Sequence, residues 1–273
     1  MSPRSNSAAC HLLSPSSPVA AAVAFTLVEL LVVMAVIVLV IGFVIPAVSG
    51  LKGAGDVNKA VYDIAGVLEQ SRTHAMSNNT YVYVGFMEAD ASQSGGTTPQ
   101  RSGTGRLSIA VVATKDGTQG FSTSQLSSWN GVYPTFANNL SVIGKPLIFD
   151  NVHLAADLGT MPTSGGLARP VLSNKRYNLG DTECRSATPF DYPVASNNLG
   201  QGKYSFTKVI QFDPQGAARV QVTAYPTTIV PYLEIDLQQT RGTVVPAISS
   251  SSKGNVAALQ VDGMTGTVHI YRP

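Results

Sequence analysis

The sequence has few charged residues. They make up 12% of the 273 residues, and the net charge is only +2. No run of lysines or arginines occurs, and no basic patch is interleaved with aromatic residues. Composition therefore gives little support to a nucleic-acid-binding role, and we expect no nucleic-acid partner.

Cysteine is also scarce, since Cys10 and Cys184 are the two that occur. If Cys10 is removed with an N-terminal leader, the remaining chain holds one thiol and forms no internal disulfide. We expect Cys184 to be a small, partly buried residue rather than a nucleophile.

Motifs of catalysis and metal binding are missing as well. The sequence has no HExxH, CxxC, Walker-type or Gly-x-Ser-x-Gly motif. Asp116-Gly117 and Asp262-Gly263 lack the alternating acidic ligands of an EF-hand, so both are predicted to be turns. We expect no enzymatic activity, no metal and no cofactor. The histidines lack the spacing of metal ligands: His11, His74, His153 and His269.

What the sequence does contain is an apolar run from Val19 to Val48 whose one charged residue is Glu29. A charge at the centre of a membrane helix costs roughly 2.5–3.5 kcal/mol on insertion scales. Glu29 lies only four residues after Phe25, near one end of the run. This position suggests a partner at the helix terminus, and the alternative is a snorkelling carboxylate without a role.

The run is long enough to cross a bilayer. Phe25 to Pro46 covers 22 residues, which as a helix span about 33 Å, against about 30 Å of hydrocarbon. We therefore predict a transmembrane helix segment over 25–48, with a bend at Pro46. The small residues of 20–24 precede the run, so a cut there keeps the helix, whereas an ordinary signal peptide cut near Ala47 is the alternative.

The segment Ala24-Phe25-Thr26-Leu27-Val28-Glu29-Leu30-Leu31 resembles the processing and methylation site of type IV pilins and type II secretion pseudopilins. The resemblance implies a prepilin leader at 1–24, cleavage between Ala24 and Phe25, and N-methylation of Phe25. Glu29 then matches the family's membrane carboxylate and Pro46 its helix-kinking proline. Ala24 departs from the glycine that is usual before the cut, and Arg4 is the leader's single charge.

The resemblance also implies a mode of assembly. Cleavage leaves a cationic amine on Phe25, and the Glu29 carboxylate of a neighbouring subunit can neutralise it, so both charges leave water as a pair. The implied partners are a prepilin peptidase and methylase, other pilin or pseudopilin subunits packed helix to helix, and inner-membrane lipid. The implied location is the bacterial inner membrane, with a single pass and the C-terminal domain in the periplasm.

After Pro46 the pattern becomes amphipathic, and residues 49–79 are predicted to continue the helix as a second half. Asp56 is the expected N-cap and Asn78-Asn79 the expected stop. Lys59, Asp63, Glu69 and Arg72 are expected to face outward, and His74 is assigned to the same solvent face. Apolar residues recur every three or four positions, which predicts the buried face: Val57, Ala60, Val61, Ile64, Ala65, Val67, Leu68, Ala75 and Met76.

The remainder, 80–273, is predicted to be an antiparallel β domain with one face on the helix. Ala89 to Gly105 is expected to be a loop, and a large loop-rich insertion is expected near 117–202. Phe121, Trp129, Tyr133 and Phe136 are assigned to the core rather than to a partner. The predicted strands lie within 80–86, 106–112, 146–149, 204–212, 218–222, 232–237, 257–261 and 267–271.

Three internal segments resemble the H-type minor pseudopilins, the GspH/FimT group. They are the helix-to-strand passage over 68–84, the hairpin segment Ile210-Gln211-Phe212-Asp213-Pro214-Gln215-Gly216, and the closing strands over 261–270. Enlarged pilin-like proteins of multi-gene cassettes, the Verru_Chthon type, are a further candidate group.

Together these features predict an α+β, pilin-like fold in which a long kinked N-terminal helix packs on an antiparallel sheet domain. The expected function is that of a prepilin-like structural subunit, in the manner of a minor pseudopilin. It would belong to a type II secretion or type IV pilus-like assembly and be built into a periplasmic fibre. The alternative is a membrane-anchored binding module of a pilus-like system for DNA uptake or adhesion.

Overall fold

The structure is a computed structural model that describes residues 26–158, 169–170, 172, 177–194, 197–222, 229–248 and 254–272. The side chains of residues 43–54 are not described. The predicted leader, including Ala24, and Phe25 therefore lie outside the described residues. The chain divides into two compact units, Met1–Ala47 and Val48–Pro273.

Helix α1 (Leu27–Asn78) is a single element of 52 residues. It ends where the sequence predicts, and Asn79 follows in the left-handed region with φ +48°, a conformation that asparagine tolerates better than most residues. The predicted N-cap at Asp56 is wrong, because α1 continues through this position. Instead, the Asp56 carboxylate accepts a hydrogen bond from Asn151 Nδ2 at 2.9 Å.

The buried face of α1 beyond residue 56 follows the predicted three- and four-residue spacing. Some side chains depart from the prediction. Met76 is 47% exposed instead of buried. Arg72, expected outward, is partly buried beside the turns at Gly216 and Gly266. The residues with no measurable exposure are Val57, Ala60, Val61, Ile64, Leu68 and Ala75.

The first sheet, called sheet A, consists of five antiparallel strands: β1 (Val82–Asp90), β2 (Gly105–Thr114), β3 (Leu140–Asp150), β7 (Lys208–Phe212) and β8 (Ala218–Arg219). Their order in the sheet is β3-β2-β1-β7-β8. A 3₁₀ turn (Thr123–Ser128) and helix α2 (Trp129–Asn138) lie in the connection between β2 and β3.

The second sheet, called sheet B, has four antiparallel strands in the order β11-β10-β9-β4, and β5 pairs with β6 as a separate two-stranded ribbon. These strands are β4 (Val152–Ala155), β5 (Phe190–Tyr192), β6 (Tyr204–Phe206), β9 (Tyr232–Gln239), β10 (Val256–Asp262) and β11 (Val268–Tyr271).

Alternation along β1 separates two cores, because successive side chains of a strand point to opposite faces. Val84 and Phe86 join the buried face of α1 and the Leu233, Ile235 side of β9 in the larger core. Tyr83 points into the second core, which is rich in aromatic residues. This second core confirms the assignment of the four predicted core aromatics, which are all buried: Phe121, Trp129, Tyr133 and Phe136.

Every predicted strand segment overlaps an observed strand, although the segment over 204–212 divides into β6 and β7. Most of the predicted loop between 89 and 105 is the connection between β1 and β2. Residues 117–202 hold more regular structure than a loop-rich insertion suggests, namely the 3₁₀ turn, α2, β3, β4 and β5.

The predicted pilin-like fold class is wrong. Among the described residues, no helix is both long and apolar enough to cross a membrane. In addition, the strands form two sheets and a ribbon instead of one antiparallel sheet on the helix. The same membrane finding overturns the predicted single-pass inner-membrane location and the description as a membrane pseudopilin.

Candidate functional site

The predicted site residues are concentrated at the N-terminal end of the chain. Ala24 and Phe25, the predicted cleavage site, lie outside the described residues. Glu29 lies in the first turn of α1. Pro46 lies inside α1, and its side chain is among those not described.

Glu29 forms a reciprocal pair of contacts with Thr26 at the start of α1. The Glu29 carboxylate oxygen Oε2 accepts hydrogen bonds from the Thr26 backbone N–H and from the Thr26 hydroxyl, each at 2.9 Å. In return, the Glu29 backbone N–H donates to Thr26 Oγ1 at 3.2 Å. This is a capping box, in which an N-cap threonine and a glutamate three residues later satisfy two backbone donors that the helix leaves unpaired.

The capping box also affects the charge of Glu29. The Thr26 backbone N–H, and then the Thr26 hydroxyl, lower the pKa of Glu29 below its usual value. Both donors stabilise the ionised carboxylate, since hydrogen bonds to a charged form favour it. Glu29 is therefore held as an anion at the positive end of the α1 dipole, which favours negative charge.

The helix segment that carries Glu29 exposes its apolar side chains on all sides. From Leu27 to Ile41, the large hydrophobic side chains are between 46% exposed, at Ile37, and 81% exposed, at Leu27. Contiguous apolar surface of this kind marks an interaction site, because leaving it in water is unfavourable. We call residues 27–42 the apolar segment.

Within the domain, Glu88 makes polar contacts between the two sheets. The Glu88 carboxylate, on β1 of sheet A, lies 2.8 Å and 3.0 Å from Nδ1 of His153 on β4 of sheet B. Glu88 Oε1 also accepts from the Gly105 N–H at 3.0 Å. Glu88 and His153 have 13% and 23% of their side-chain surface exposed, respectively. Because its carboxylate oxygens are bonded to His153 and to the Gly105 N–H, Glu88 stabilises the connection between the sheets.

A second polar cluster contains two buried carboxyl groups on β9. Glu234 and Asp236 are 4% and 0% exposed. Arg169 Nη1 lies 2.7 Å from Glu234 Oε1 and 3.5 Å from Asp236 Oδ1. Asn178 Nδ2 donates to Asp236 Oδ2 at 2.8 Å, and Gln260 Nε2 donates to Glu234 Oε2 at 2.5 Å.

The environment of this cluster favours a neutral Asp236. Burial, and then the neighbouring Glu234 carboxylate, raise the pKa of Asp236 to about 8, against the smaller opposing effects of Asn178 and Arg169. Both causes act against the charged form, because desolvation and a like charge each penalise a second anion.

The thiol of Cys184 is free and fully buried, whereas the sequence predicted a partly buried residue. Burial raises its pKa to about 12, so the nucleophilic thiolate is not formed near neutral pH. Lys208 lies in the same region, where its Nζ donates to the backbone oxygens of Leu179 and Asp181. Cys184 is thus a core residue and not a reactive one.

The two Asp-Gly sequences are turns, as predicted. Asp262 Oδ1 accepts from the N–H groups of Met264 and Thr265 at 2.9 and 2.7 Å. Asp116 Oδ1 accepts from Thr118 and Asn139 at 2.8–2.9 Å. Among the described residues, no group of three or more histidine, cysteine, aspartate or glutamate side chains could hold a metal ion.

The described surface includes a polar cleft of about 630 Å³ and a more apolar groove of about 280 Å³. The cleft is lined by His74, Lys115 and Asp116, but the Asp116 carboxylate is already used by the turn. The groove lies between α1 and the edge strand β3 and is lined by Val67, Ile143 and other apolar side chains.

Sequence reasoning missed two parts of these sites. Thr26 was not identified as the partner of Glu29, although the Thr-x-x-Glu spacing at the start of an apolar run is the pattern of a capping box. The buried pair on β9 was missed too. The only sign of it in the sequence is the alternation of Glu234, Asp236 and Gln238 with apolar residues. The same alternation is expected of a strand whose polar side faces solvent, so it did not indicate burial.

Comparison with known proteins does not add to this geometry: no protein-family model, no curated protein and no solved structure matches the chain.

Proposed function

We propose that the chain is a non-enzymatic, prepilin-like structural subunit of a type II secretion or type IV pilus-like assembly. In this proposal a prepilin peptidase cuts between Ala24 and Phe25, and a methylase modifies the new terminus. The subunit then joins a fibre through the N-terminal part of α1. Its partners are other subunits of the same kind.

The observation that carries the proposal is the apolar segment. Its large side chains from Leu27 to Ile41 are at least 46% exposed, and Glu29 is its one charged residue. A helix that is apolar on every side is stable only when it is covered. The corresponding segments of neighbouring subunits supply a cover of matching chemistry.

Glu29 supports the proposal because its geometry leaves capacity for a second partner. Both contacts from Thr26 go to Oε2, and a carboxylate can accept about four hydrogen bonds. The processed amine of Phe25 on a neighbouring subunit is a cation of the right sign to use the remaining acceptor capacity. Burying this pair together costs less than burying either charge alone.

The test separates the charge of Glu29 from its capping role. Glu29→Gln keeps an oxygen that can accept from Thr26 but removes the charge, whereas Glu29→Ala removes both. Full-length variants are expressed at matched levels, and their incorporation into sheared fibres is measured. We expect both substitutions to reduce incorporation strongly. Normal incorporation of Glu29→Gln would refute the assembly contact and leave Glu29 with the cap alone.

A matched control comes from the same helix. Asp63 is also a carboxylate on α1 but lies in the half that packs on the domain. Asp63→Asn should be incorporated normally. If it is excluded from fibres as strongly as Glu29→Gln, charge loss anywhere on α1 is sufficient, and Glu29 has no specific role.

The apolar segment is tested with a second pair of variants. Val36 is 55% exposed in the apolar segment, and Val244 is 64% exposed in the domain. Val36→Lys places a charge in the proposed helix contact and should abolish incorporation, because an unpaired charge is costly to bury. Val244→Lys should have little effect. Equal incorporation of the two variants would show that the apolar segment is not the assembly surface.

A further inference from the structure

The apolar groove between α1 and β3 lies at the edge of sheet A. Its volume is about 280 Å³, and its lining includes Val67 on α1 together with Ile143 and Leu147 on β3. These three side chains are partly exposed and pack directly against the larger core. Covering them would remove apolar surface from water, which is favourable. The groove is therefore suited to receive an apolar side chain.

A β-bulge in β3 shapes this groove and places a cation beside it. The register of β2 and β3 shifts here, so that residues 144–146 lie opposite Ala110 alone. Bulges bend a strand and redirect its side chains. Gly144 has φ +72°, and nothing lies within 4 Å of the position of a Cβ atom there. Lys145 lines the groove and is exposed, so the groove combines an apolar lining with a positive charge.

An exposed methionine lies in the turn between β10 and β11. Met264 is 74% exposed. Asp262 holds this turn, because its Oδ1 accepts from the N–H groups of Met264 and Thr265 at 2.9 and 2.7 Å. Both contacts go to one oxygen, whereas a carboxylate can accept about four hydrogen bonds. The turn therefore presents a flexible apolar side chain next to a carboxylate with remaining acceptor capacity.

The environment of Asp262 favours its charged form. Partial burial acts to raise the pKa of Asp262, but hydrogen bonds from Thr265, and then from Met264, outweigh it and lower the pKa below its usual value. His269, on the neighbouring strand β11, acts in the same direction. Asp262 is therefore an anion near neutral pH.

The turn and the groove lie on different sides of α1. The turn packs beside Arg72, whose Cδ lies 3.0 Å from the position of a Cβ atom at Gly266. Val67, which lines the groove, lies about 140° around the helix from Arg72, at about 100° per residue. A contact between turn and groove therefore joins two copies through different surfaces. Such a head-to-tail contact continues into a ring or a filament and does not stop at a dimer.

We propose that the Met264 turn of one copy inserts into the α1–β3 groove of the next copy, with Asp262 of the first copy facing Lys145 of the second. This inference rests on the proposed function, because a fibre subunit needs a contact that repeats from copy to copy. The opposite charges of the turn and the groove favour a second copy as the occupant. The unbranched methionine side chain suits an irregular apolar groove. The exposed charge pair contributes orientation more than affinity.

Cross-linking between introduced cysteines tests the contact. Met264→Cys and Lys145→Cys are combined in the full-length chain with Cys10→Ser, and a short bismaleimide is applied to sheared fibres. Both positions are exposed, and the buried Cys184 thiol is unreactive. We expect a ladder of covalent dimers, trimers and larger species, because each copy carries both halves of the contact. Fibres that form normally but give no ladder would refute the contact.

The control variants separate this contact from other encounters. Each single-cysteine variant should give no ladder, and dimers from Met264→Cys alone would overturn the proposal by showing that two turns meet each other. Val244 is 64% exposed, comparable to Met264. Val244→Cys combined with Lys145→Cys should therefore give no ladder. A ladder as strong as that of the test pair would attribute the cross-links to random collision and refute a specific contact.

The same cross-linking of the purified full-length chain in detergent separates the contact from the proposed function. A ladder from a protein that forms no fibres would support the contact and refute the fibre role. Fibres without a ladder would refute the contact and leave the fibre role in place. Absence of both fibres and ladder would refute both.

A second measurement needs no substitution at the contact. Isotopically light and heavy copies of the full-length chain are mixed and treated with a carbodiimide, which joins a carboxylate to an amine as an amide with loss of water. Mass spectrometry should find Asp262 linked to Lys145 between a light and a heavy copy. A link found only within copies of one isotope would place the pair in a single chain and refute the proposal. Absence of the link would refute the charge pair.

Discussion

Glu29 and Thr26 hold each other at the start of α1: the carboxylate accepts two hydrogen bonds from Thr26, and the Glu29 N–H donates back to the threonine hydroxyl. The same carboxylate is the residue for which we propose an intersubunit contact. A capped Glu29 is already ionised and oriented before any partner arrives. The cap and the proposed assembly contact are therefore compatible uses of one side chain.

Removing the threonine should change the acidity of Glu29. In Thr26→Ala the hydroxyl donor is lost and the helix cap is weakened, so the pKa of Glu29 should rise toward its ordinary value. The measurement is a carboxyl-carbon NMR titration of the full-length chain. Thr73→Ala, which removes a hydroxyl bonded to the Glu69 backbone oxygen on the same helix, should leave the titration unchanged. An unaltered pKa in Thr26→Ala would contradict the capping box.

Two glycine substitutions should have opposite effects on stability. A Cβ atom at Gly85 on β1 would lie 2.6 Å from Phe206 and 2.7 Å from Phe190, whereas nothing lies within 4 Å of one at Gly66 on α1. Gly85→Ala should lower the free energy of unfolding by about 1–3 kcal/mol, because it overpacks a filled core. Gly66→Ala should raise it by about 0.5–1 kcal/mol, because alanine restricts the unfolded chain and favours helix.

Denaturant unfolding of the two variants measures both changes. Stabilisation by Gly85→Ala would contradict the packing of the β5–β6 ribbon against β1. Strong destabilisation by Gly66→Ala would show that this face of α1 is covered.

The aromatic core should be a main source of stability. Phe136 is fully buried and makes edge contacts with Tyr83 and Phe121, at ring-centroid distances of 5.2 and 5.7 Å. Phe136→Ala should cost about 3–5 kcal/mol in the free energy of unfolding, the range for a deleted buried phenylalanine. Val244→Ala, at an exposed position, should change it by less than about 0.5 kcal/mol. Similar losses in both variants would argue against this core.

The Cys184 thiol should be unreactive in the folded protein. Burial raises its pKa to about 12, and the residue has no exposed surface. In a Cys10→Ser background, iodoacetamide at mildly alkaline pH should modify Cys184 quickly after denaturation and very slowly before it. Mass spectrometry gives the extent of modification. Fast labelling of the native protein would contradict the buried position.

The pH dependence of stability should show the effect of burying Asp236. Its pKa in the folded state is raised above the ordinary value of 3.8 to about 8, so the folded state binds the proton more tightly than the unfolded state. Its contribution is therefore fully present below about pH 3.8 and is lost as pH rises through about 8.

The difference in unfolding free energy between wild type and Asp236→Asn isolates this contribution. Between about pH 3.8 and about pH 8, the wild type should lose on the order of 1 kcal/mol of stability relative to Asp236→Asn for each pH unit of increase. A difference that does not vary with pH would contradict the raised pKa.

The sequence predicted the parts of the fold that depend on local patterns. The spacing of Val57, Ile64 and Leu68 identified the buried face of α1, and alternating β-forming residues located the strands. The residues around Asp213 and Asp262 correctly predicted turns between strands, because an aspartate side chain can accept a hydrogen bond from the backbone N–H two residues later.

The parts that could not be predicted depend on contacts between distant residues. Arg169 and Glu234 are 65 positions apart, and no local pattern shows that an arginine will neutralise a strand carboxylate. Division of the strands between two sheets also depends on such pairings. The N-cap expected at Asp56 was wrong because glycines at 50, 53 and 55 suggested a break, whereas α1 continues through them.

The most direct test of the proposed function is the N-terminus of the protein isolated from the cells that produce it. Intact-mass and N-terminal peptide measurements should show a chain that begins at an N-methylated Phe25. A chain that retains residues 1–24, or one cut near Ala47 so that the apolar segment is missing, would contradict assembly through this helix.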